Sequence, residues 1–341
     1  MTGPVKLAVL GAGMIGKRHV EHVIREDCAT LMAVVDPSAS AEALAERCGA
    51  RWHPSLAAML QHARPDGVIV ATPNQLHVEN GLDCVAAGLP ALVEKPLADT
   101  VDGATRLVEA AEKAGVPLLV GHNRLIQEAK RTIDAGHLGQ LVAVHATCWF
   151  YKPDEYFEAP WRREKGAGPV LLNLIHDVDL LRHLCGEVVS VQAQESNALR
   201  GNAVEDTAVV LLRFESGMLG TVTVSDTIVA PWSWELTSGE NRAYPHTQEA
   251  CYLIGGTRGS LTVPYLDLWH NPARPSWWEP IERERLSVEA EDPLAPQIRN
   301  FCGVIRGSEV PVVSGREGLS TLEVIAAVKE AAATGSLVRV G

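Results

Sequence analysis

Two side chains in this 341-residue sequence could bind and deprotonate a substrate hydroxyl. Lys95 lies in the run Glu94-Lys95-Pro96, after an apolar segment, where a lysine is either a surface charge or a reactive group. Pro96 stiffens this turn and makes the Lys95–Pro96 peptide bond a candidate for the cis form. His176 shares one predicted helix face with Asn173 and Asp179, because the three residues are spaced by three. Such a polar stripe orients a substrate hydroxyl or faces solvent, and the spacing leaves both interpretations open.

Metal chemistry is not indicated. His176, Asp177 and Asp179 lack the spacing of a ligand set such as HxxxH, and no cysteine joins them. The cysteines are odd in number and scattered, without CxxC spacing, which indicates reduced thiols in the cytoplasm; they are Cys28, Cys48, Cys84, Cys148, Cys185, Cys251 and Cys302.

A glycine-rich loop near the N-terminus fits the pattern GxGxxG, with the sequence Gly11-Ala12-Gly13-Met14-Ile15-Gly16. It follows an apolar strand and opens a helix, and Asp36 ends the next strand twenty residues beyond Gly16. In such a loop Gly11 allows a tight turn, Gly13 lets the backbone approach a pyrophosphate, and Gly16 permits close packing of helix on strand. The helix N-terminus then faces the phosphates. The alternative is a glycine-rich turn in an α/β domain without a ligand.

Asp36 bears on the choice of dinucleotide. A carboxylate at this position accepts hydrogen bonds from the adenosine ribose and repels a 2′-phosphate. The sequence therefore favours NAD as the cofactor. Lys17 and Arg18 lie close enough in sequence to keep NADP open.

The segment before residue 122 alternates strand and helix patterns, which predicts a doubly wound parallel sheet. The predicted strands are Val5–Leu10, Leu31–Val35, Gly67–Ala71, Leu89–Val93 and Val116–Val120, and the helices are Met14–Arg25, Ala41–Cys48, His77–Ala87 and Val101–Ala114. We expect this dinucleotide-binding Rossmann domain to comprise residues 1–122.

Residues 123–341 are expected to form a substrate-binding and oligomerisation domain of the α+β class, with an open, mainly antiparallel sheet. Strands are predicted at Val188–Gln194, Thr207–Phe214, Met218–Asp226 and Ala250–Ile254, and helices at Val170–Leu184 and Arg316–Ala333. The segment from Trp269 to Arg285 has no assignable pattern. An open sheet has one face to cover, so we expect a homodimer or homotetramer to form through that face.

The composition limits the partners. The formal net charge is −12 and the pI is near 5.5, and no run of Lys or Arg forms a basic patch. Neither a nucleic acid nor an anionic membrane is therefore an expected partner. The N-terminus lacks a signal-peptide pattern and no apolar stretch reaches membrane-spanning length, so we expect a soluble cytoplasmic protein.

Taken together, these motifs resemble the Gfo/Idh/MocA oxidoreductases, the family of glucose-fructose oxidoreductase and inositol dehydrogenase. The resemblance extends to the closing helix, and the residues that carry it are the loop Gly11–Gly16, Ala71-Thr72-Pro73-Asn74-Gln75-Leu76-His77, Glu94-Lys95-Pro96, Gly121-His122-Asn123-Arg124 and His176-Asp177-Val178-Asp179. It implies a dehydrogenase that transfers a hydride between NAD and a sugar, a sugar derivative or a cyclic polyol.

The resemblance also implies roles for individual residues. The dinucleotide would be lined by Thr72, Pro73, Asn74, His77, Glu94 and Asn123, in addition to the glycine loop and Asp36. Lys95 would lie beside the nicotinamide and the substrate. Near the same end of the cleft the resemblance implies Trp161 and Arg162 at the cofactor and Tyr151 and Asn173 at the substrate, with Lys152 either there or in ordinary packing.

The implied chemistry is proton-coupled hydride transfer. His176 would accept the hydroxyl proton, and Lys95 would hold the oxygen. A neutral imidazole suits this role because its unperturbed pKa is ~6.5. One departure from the family is plain: inositol dehydrogenases carry an aspartate four residues before this histidine, and this sequence has Leu172 there, followed by Asn173. The substrate therefore stays open, with Asn173 as a neutral hydrogen-bonding replacement.

Three alternative functions remain. The family includes NAD-dependent glycosidases, which release no net NADH, and enzymes that pass a hydride between two sugars on a permanently bound cofactor. The third is a non-enzymatic dinucleotide sensor, which would have no use for Lys95 and His176. The tryptophans of the second half either stack on a sugar ring or pack the sheet or a subunit interface; they are Trp232, Trp234, Trp269, Trp277 and Trp278.

Overall fold

The computed structural model describes residues 3–122, 126–241, 243–287 and 292–341. The chain divides into two compact units. Unit 1 comprises residues 1–123 and 292–322, and unit 2 comprises residues 124–291 and 323–341. Each unit is described by itself.

Unit 1 is built on a parallel sheet, as the alternating pattern predicts, and the sheet has six strands where the sequence predicts five. The strands are β1 (Val5–Leu10), β2 (Ala29–Val35), β3 (Arg51–His53), β4 (Gly67–Val70), β5 (Ala91–Val93) and β6 (Leu118–Val120). Their order in the sheet is β3-β2-β1-β4-β5-β6, so the chain changes direction between β1 and β4. In folds of this kind ligands bind outside the carboxyl ends of the strands at that switch point.

Helices cover this sheet, whose strands are buried almost throughout. They are α1 (Met14–Arg25), α2 (Ala39–Arg47), α3 (Leu56–Leu60), α4 (His77–Ala86) and α5 (Val101–Ala114). Thr100 caps α5 by accepting a hydrogen bond from the Gly103 N–H, and Gly115 ends the helix at a φ of 64°. These signals explain why α5 has the predicted bounds.

Unit 2 contains a nine-stranded mixed sheet, in which β7 and β10 pair in parallel and all other neighbours pair antiparallel. Eight of these strands lie before residue 292 in the chain; they are β7 (Leu141–Trp149), β8 (Val188–Ser196), β9 (Thr207–Phe214), β10 (Leu219–Ser225), β11 (Tyr252–Gly256), β12 (Gly259–Val263), β13 (Asp267–His270) and β14 (Glu282–Arg285). Strand β9 alternates strictly between buried and exposed residues, so one face of the sheet is apolar and buried while the other is open.

The helices of this part of the chain are α6 (Gln127–Asp134), α7 (Ile175–Cys185) and α8 (Trp234–Thr237). A π-helical turn, Val170–Leu174, leads directly into α7, where the sequence predicts one uninterrupted helix. Two strands, β13 and β14, lie in the region around Trp269–Arg285, for which the sequence gives no pattern.

The last segment contributes to both units. It forms α9 (Leu294–Arg306), α10 (Gly315–Thr334) and β15 (Val338–Arg339). Phe301 and Ile298 of α9 are fully buried in the core of unit 1, together with Ile69 and Leu92. The sequence-based boundary assigns α9 to the second domain, whereas its apolar face packs in the first unit.

The described part of the chain has no helix that is long and apolar enough to cross a membrane. All seven cysteines are free thiols, and five of them are buried. Within the same residues no three His, Cys, Asp or Glu side chains are grouped so that they could hold a metal ion.

Candidate active site

The candidate cofactor site of unit 1 lies along the carboxyl edge of its parallel sheet. Backbone hydrogen bonds tie the residues that follow each strand to the neighbouring strand: Gly11 N–H to Val35 O (2.8 Å), Ala71 N–H to Leu10 O (2.7 Å), Glu94 N–H to Val70 O (2.9 Å) and Gly121 N–H to Val93 O (2.7 Å). The four sequence motifs of the first half therefore meet at one edge. The alternation of strand and helix predicts this arrangement, because all parallel strands end on the same side.

The glycine loop has the space that a dinucleotide requires. Gly11 has a φ of +97°, and a Cβ at this position would lie 2.5 Å from the Ala71 carbonyl oxygen. A Cβ on Gly16 would collide with the Gly11 carbonyl. At Gly13, in contrast, nothing lies within 4 Å of the Cβ position, so the backbone borders open space. The loop is therefore tightly packed at Gly11 and Gly16 and open at Gly13. This arrangement leaves space for a pyrophosphate beside Gly13.

Two further loop residues lie at the start of α1. Met14 is 86% exposed and Ile15 is half-buried. The Gly13 carbonyl accepts the first helical hydrogen bond, from Lys17 N–H, and no side chain caps the N-terminus. The N–H groups of this first turn are therefore without a side-chain cap, as expected at an anion-binding helix end.

Asp36 holds the glycine loop through its carboxylate. Its Oδ2 accepts the Ala12 N–H at 2.9 Å, and its Oδ1 accepts the Ser38 N–H at 2.9 Å and the Ser38 hydroxyl at 2.6 Å. Burial alone would raise the Asp36 pKa, but these hydrogen bonds outweigh it, and the pKa lies below its ordinary value. Asp36 is thus a carboxylate that would repel a 2′-phosphate.

The turn after β4 carries the Thr72–His77 motif. Thr72 donates from its hydroxyl to Asn80 Oδ1 at 2.9 Å, Pro73 is exposed, and Asn74 is half-exposed. His77 is fully buried, and its two ring nitrogens contact the Pro96 carbonyl at 2.7 Å and the Thr72 carbonyl at 2.9 Å. His77 therefore links this turn to the turn after β5 through backbone groups, a role that the motif alone does not reveal.

The Glu94-Lys95-Pro96 turn contains a buried hydrogen bond between a histidine and the glutamate next to the lysine. Glu94 Oε1 lies 2.6 Å from Nε2 of the fully buried His19, and Glu94 Oε2 accepts the Lys95 N–H at 3.2 Å. Burial would raise the Glu94 pKa, but the hydrogen bond from His19 and the charges of His19 and Lys95 outweigh it, so the pKa is lowered. The Lys95–Pro96 peptide is cis, as predicted.

His19 was not identified from the sequence as a site residue. It lies on α1, three residues after Gly16, so the helix that opens at the glycine loop also supplies a partner for Glu94. Gly121 completes the enclosure, since a Cβ there would lie 3.1 Å from the Glu94 carboxyl carbon. No sequence spacing signals the His19–Glu94 contact, because it joins α1 to the turn after β5. Lys95 itself is half-buried.

In unit 2 the helix with His176 is fixed at its N-terminus by a carboxylate. Glu205 Oε1 accepts the Val170 N–H at 3.0 Å, and Glu205 Oε2 accepts a hydrogen bond from Lys329 Nζ at 2.7 Å. A Cβ on Gly168 would collide with this carboxylate, which explains the glycine there. The negative charge is favourable at this helix end, and it stabilises the π-turn on which Asn173 lies.

His176 is half-exposed, whereas both aspartates that follow it are buried. Asp179, which the sequence places with Asn173 and His176 on one polar face, is 1% exposed, so a solvated stripe is not what the helix presents. Asp177, also 1% exposed, accepts a hydrogen bond from the Tyr252 hydroxyl at 2.5 Å. Burial, and then the charge of Glu235, raise the Asp177 pKa to about 7.

The side chain of Asn173 is anchored to a residue that the sequence does not reveal. Its Nδ2 donates to Oε1 of Glu235 on α8 at 3.1 Å. Glu235 is 62 residues away in the chain, and its segment carries no motif. Only the fold brings this carboxyl group to the π-turn.

The residues predicted from the segment before this helix form an aromatic and cationic cluster. The Arg162 guanidinium lies 4.0 Å from the centre of the Tyr156 ring and 5.3 Å from that of Trp161, which is exposed. Tyr151 is also exposed, with the Arg200 guanidinium 5.7 Å from its ring centre. Cation–π contacts of this kind hold flat side chains in fixed orientations.

Lys152 has a structural environment within unit 2. It is buried, with Nζ 3.7 Å from Asp226 Oδ2, and the Arg200 Nε donates to Asp226 Oδ1 at 2.8 Å. Burial lowers the Lys152 pKa, against the opposing effect of the Asp226 charge. This pairing agrees with the packing interpretation.

The candidate tryptophans differ in environment. Trp234 is buried and stacks on Tyr252, Trp232 packs against Trp149, and Trp277 and Trp278 are exposed. Trp269 is half-buried with the Arg283 guanidinium near its ring. Trp234 therefore packs the protein core.

The predicted residues fall into two groups. Unit 1 brings together the glycine loop, Asp36, the Thr72–His77 turn and the Glu94–Lys95 pair. Unit 2 contains Asn173 and His176 and, in the segment before them, the aromatic cluster around Trp161. Asn123 lies outside the described residues.

Comparison with known proteins agrees with this division. Residues 5–122 match the model of the oxidoreductase family with an NAD-binding Rossmann fold, and residues 126–262 match the GFO/IDH/MocA C-terminal domain. Inositol 2-dehydrogenase 2 of Saccharopolyspora erythraea is 31% identical over 64% of this chain. The match covers 66% of that enzyme, so this chain spans just under two thirds of its length. Myo-inositol 2-dehydrogenase of Thermotoga maritima is 26% identical over 93% of each chain.

Solved structures give the same result for the fold. The WlbA dehydrogenase of Bordetella pertussis, crystallised with NADH and UDP-GlcNAcA, has a TM-score of 0.80 and 28% identity, covering 99% of both chains. Both family models, the relatives and the shared two-domain fold lead to one conclusion. The chain belongs to the Gfo/Idh/MocA family and is an NAD-dependent oxidoreductase.

Proposed function

We propose that this protein oxidises a CH–OH group of a sugar, a sugar derivative or a cyclic polyol, with Lys95 and His176 as its catalytic residues. The observation that carries the proposal is the buried His19–Glu94 pair, which accepts the Lys95 N–H, in a unit whose glycine loop fits a dinucleotide. The inositol dehydrogenases and the WlbA dehydrogenase among the similar proteins support the substrate class.

The residues of unit 1 would hold the cofactor. The glycine loop would receive the pyrophosphate and Asp36 the adenosine ribose, while Thr72, Pro73 and Asn74 would line the path toward Lys95. Asn123, Trp161 and Arg162 are proposed as further contacts. When bound, NAD supplies the hydride acceptor for the oxidation of the alcohol carbon.

Lys95 and His176 would handle the proton and the oxygen. His176 removes the hydroxyl proton as the carbon is oxidised, and the Lys95 ammonium donates a hydrogen bond to the same oxygen. The charge of Lys95 is one of the effects that lower the pKa of the neighbouring Glu94 carboxyl, after the hydrogen bond and charge of His19. Asn173 and Tyr151 are proposed to contact the substrate hydroxyls. In the reverse direction the same groups return the proton.

The test is a screen of sugars and cyclitols with NAD, followed by absorbance of NADH. In Lys95→Ala we expect NAD binding to stay within about threefold and turnover to fall at least 10³-fold, as general acid–base groups contribute 10²–10⁴-fold and Lys95 also orients the oxygen. Lys113→Ala, an exposed lysine on α5, is the control. Normal turnover by Lys95→Ala would exclude its assigned role.

For His176→Asn we expect turnover to fall and the pH dependence of alcohol oxidation to lose the limb that a titrating base imposes. His137→Asn, on the surface of the same unit, is the matched control. An unchanged pH profile would mean that another group accepts the proton.

The same screen separates the alternatives. A glycosidase that uses transient oxidation would consume a glycoside without net NADH, and an enzyme that passes hydride between sugars would copurify with NAD. Among the residues that the structure describes, no specific contact favours NADP or a sensor function.

We also propose that the protein assembles as a homodimer or homotetramer through the open face of the nine-stranded sheet, in a reducing cytoplasmic location. Four apolar side chains are about half-exposed on that face: Val209, Leu211, Leu219 and Leu253. Seven free thiols support the location, because disulfides persist in oxidising compartments.

A further inference from the structure

The π-turn that leads into the helix with His176 carries no carboxylate of its own. Leu172 occupies the site four residues before the histidine, and Asn173 lies on the π-turn instead. A π-turn within a helix is uncommon and occurs frequently at functional sites.

The short helix α8 provides a carboxyl group, and its position is fixed by the residues on either side. Trp234 is buried and stacks on Tyr252 with ring centres 5.7 Å apart. Thr237 is buried and donates to the Ser233 carbonyl at 2.8 Å, while the Ser233 hydroxyl caps the helix. Glu235 lies between these anchors, so its backbone is held against the core.

Glu235 in turn fixes the orientation of the Asn173 amide. Because a carboxyl oxygen at 3.1 Å accepts the hydrogen bond, the amide must present its NH₂ to Glu235. The carbonyl oxygen Oδ1 then faces the other way. Asn173 Oδ1 can therefore only accept a hydrogen bond, and the donor must be a group other than Glu235.

Two oxygen atoms of this pair have no partner in the part of the chain that the structure describes. Asn173 Oδ1 and Glu235 Oε2 are both shielded from bulk solvent, yet no group donates a hydrogen bond to either. Buried polar atoms are nearly always hydrogen-bonded, so two such acceptors on one side-chain pair indicate donors supplied by a ligand or by bound water.

The charges around the pair act against an acidic ligand. Glu235 raises the pKa of Asp177 and of the Cys148 thiol, after the larger effect of burial, so its negative charge acts on its surroundings. Lys152 is the nearby cation, and its Nζ already faces Asp226 at 3.7 Å. A substrate carboxylate at Asn173 Oδ1 and Glu235 Oε2 would face two hydrogen-bond acceptors and the negative charge of Glu235.

We propose that Glu235 and Asn173 form a specificity site that binds hydroxyl groups of the substrate and rejects a carboxylate at the same position. This inference rests on the proposed function and assigns to Glu235 a role that no motif indicates. Substrate hydroxyls donate to Asn173 Oδ1 and Glu235 Oε2, and the hydrogen bond between the two side chains keeps both oxygens turned toward them.

The first experiment compares Glu235→Gln with the wild type on neutral sugars and cyclitols and on sugar acids such as glucuronate, galacturonate and gluconate. We expect kcat/KM for neutral substrates to fall at least tenfold, mainly through KM, because the lost acceptor oxygen contacts the substrate before and during reaction. The ratio of neutral to acidic kcat/KM should fall by a further factor of about ten. Glu249→Gln, an exposed carboxylate before β11, is the matched control and should change neither value.

The second experiment exchanges the two groups. In Asn173→Asp two carboxylates face each other, and we expect a loss of at least a hundredfold in kcat/KM near pH 7. In the double variant Asn173→Asp/Glu235→Gln the hydrogen bond re-forms with donor and acceptor exchanged. Both outer oxygens are acceptors again, so kcat/KM for neutral substrates should recover to within about tenfold of the wild type.

The outcomes are distinguishable. If the wild type oxidises sugars or cyclitols and Glu235→Gln keeps its kcat/KM and its neutral-to-acidic ratio, the proposed function stands and this inference is overturned. If the double variant regains its melting temperature but not its selectivity, Glu235 has a structural role and the inference is likewise overturned. If neither variant that carries Glu235→Gln folds, Glu235 has a structural role and the inference is again overturned. A wild type that oxidises nothing in the panel removes the proposed function and this inference with it.

Discussion

Asp177 predicts an unusual dependence of stability on pH. Its carboxyl group is buried, hydrogen-bonded to Tyr252 and close to the charge of Glu235, and its pKa is raised from 3.8 to about 7. Between these two values the folded protein keeps a proton that the unfolded chain has released. Stability therefore falls as the pH rises through this window, and the loss is complete above pH 7.

The size of the effect follows from the two pKa values. Each unit of pKa difference corresponds to about 1.4 kcal/mol, so ionised Asp177 destabilises the folded state by about 4 kcal/mol relative to an ordinary carboxylate. Between pH 5 and pH 8 the change is about 2–3 kcal/mol. For a unit of this size that corresponds to roughly 5–10 °C in melting temperature.

The perturbation is Asp177→Asn, which keeps an oxygen for the Tyr252 hydroxyl and removes the titration. Urea unfolding at pH 5 and pH 8, followed for wild type and variant, gives the difference in stability at each pH. We expect this difference to shift by about 2–3 kcal/mol in favour of the variant at the higher pH. Asp154→Asn is the control, since this side chain is 93% exposed. A difference that stays the same at both pH values would refute the raised pKa.

Two further substitutions test the loop and the helix cap. In Gly11→Ala a Cβ 2.5 Å from the Ala71 carbonyl forces the loop to shift, so NADH affinity by fluorescence titration should fall at least tenfold, whereas Gly49→Ala, with positive φ but open space, should bind normally. Unchanged affinity in Gly11→Ala would contradict the loop assignment. Glu205→Gln removes the charge that caps Val170 and pairs with the part-exposed Lys329, and should cost about 2 kcal/mol in urea unfolding. Less than 0.5 kcal/mol would show that the cap is dispensable.

The fold of unit 1 could be predicted because its signals are local. The strand before the glycine loop and the helix after it have the predicted bounds. The later strands β5 and β6 begin at Ala91 and Leu118, two residues after their predicted starts. Each is preceded by a proline, Pro90 and Pro117, which has no N–H to donate to the sheet.

Less of the structure of unit 2 could be predicted from the sequence. All four residues of β14 are exposed and charged, so this edge strand shows no apolar alternation. The π-turn before α7 does not alter the apolar pattern either, and it is stabilised by Glu205, which is 35 residues away. Periodicity cannot report either feature, because both depend on contacts formed after folding.

The candidate site likewise includes contacts that form only after folding and that periodicity cannot report. The sequence identifies the groups that belong to motifs, such as Lys95 and His176. It does not identify His19 or Glu235, because a hydrogen bond between α1 and the turn after β5, or between α8 and a π-turn, has no fixed spacing. Residues that position others are therefore found from the folded chain.

The open sheet face gives the last prediction. Leu211 is 48% exposed and lies in one row with Thr221, His145 and Leu253, on four adjacent strands. If two copies meet through this face, Leu211→Asp places an unpaired charge from each copy in the interface, at a cost of several kcal/mol per copy. Light scattering after gel filtration should then show the monomer at micromolar concentration. Leu199→Asp, exposed outside the sheet, should leave the assembly unchanged, and an assembly that survives Leu211→Asp would exclude this face as the interface.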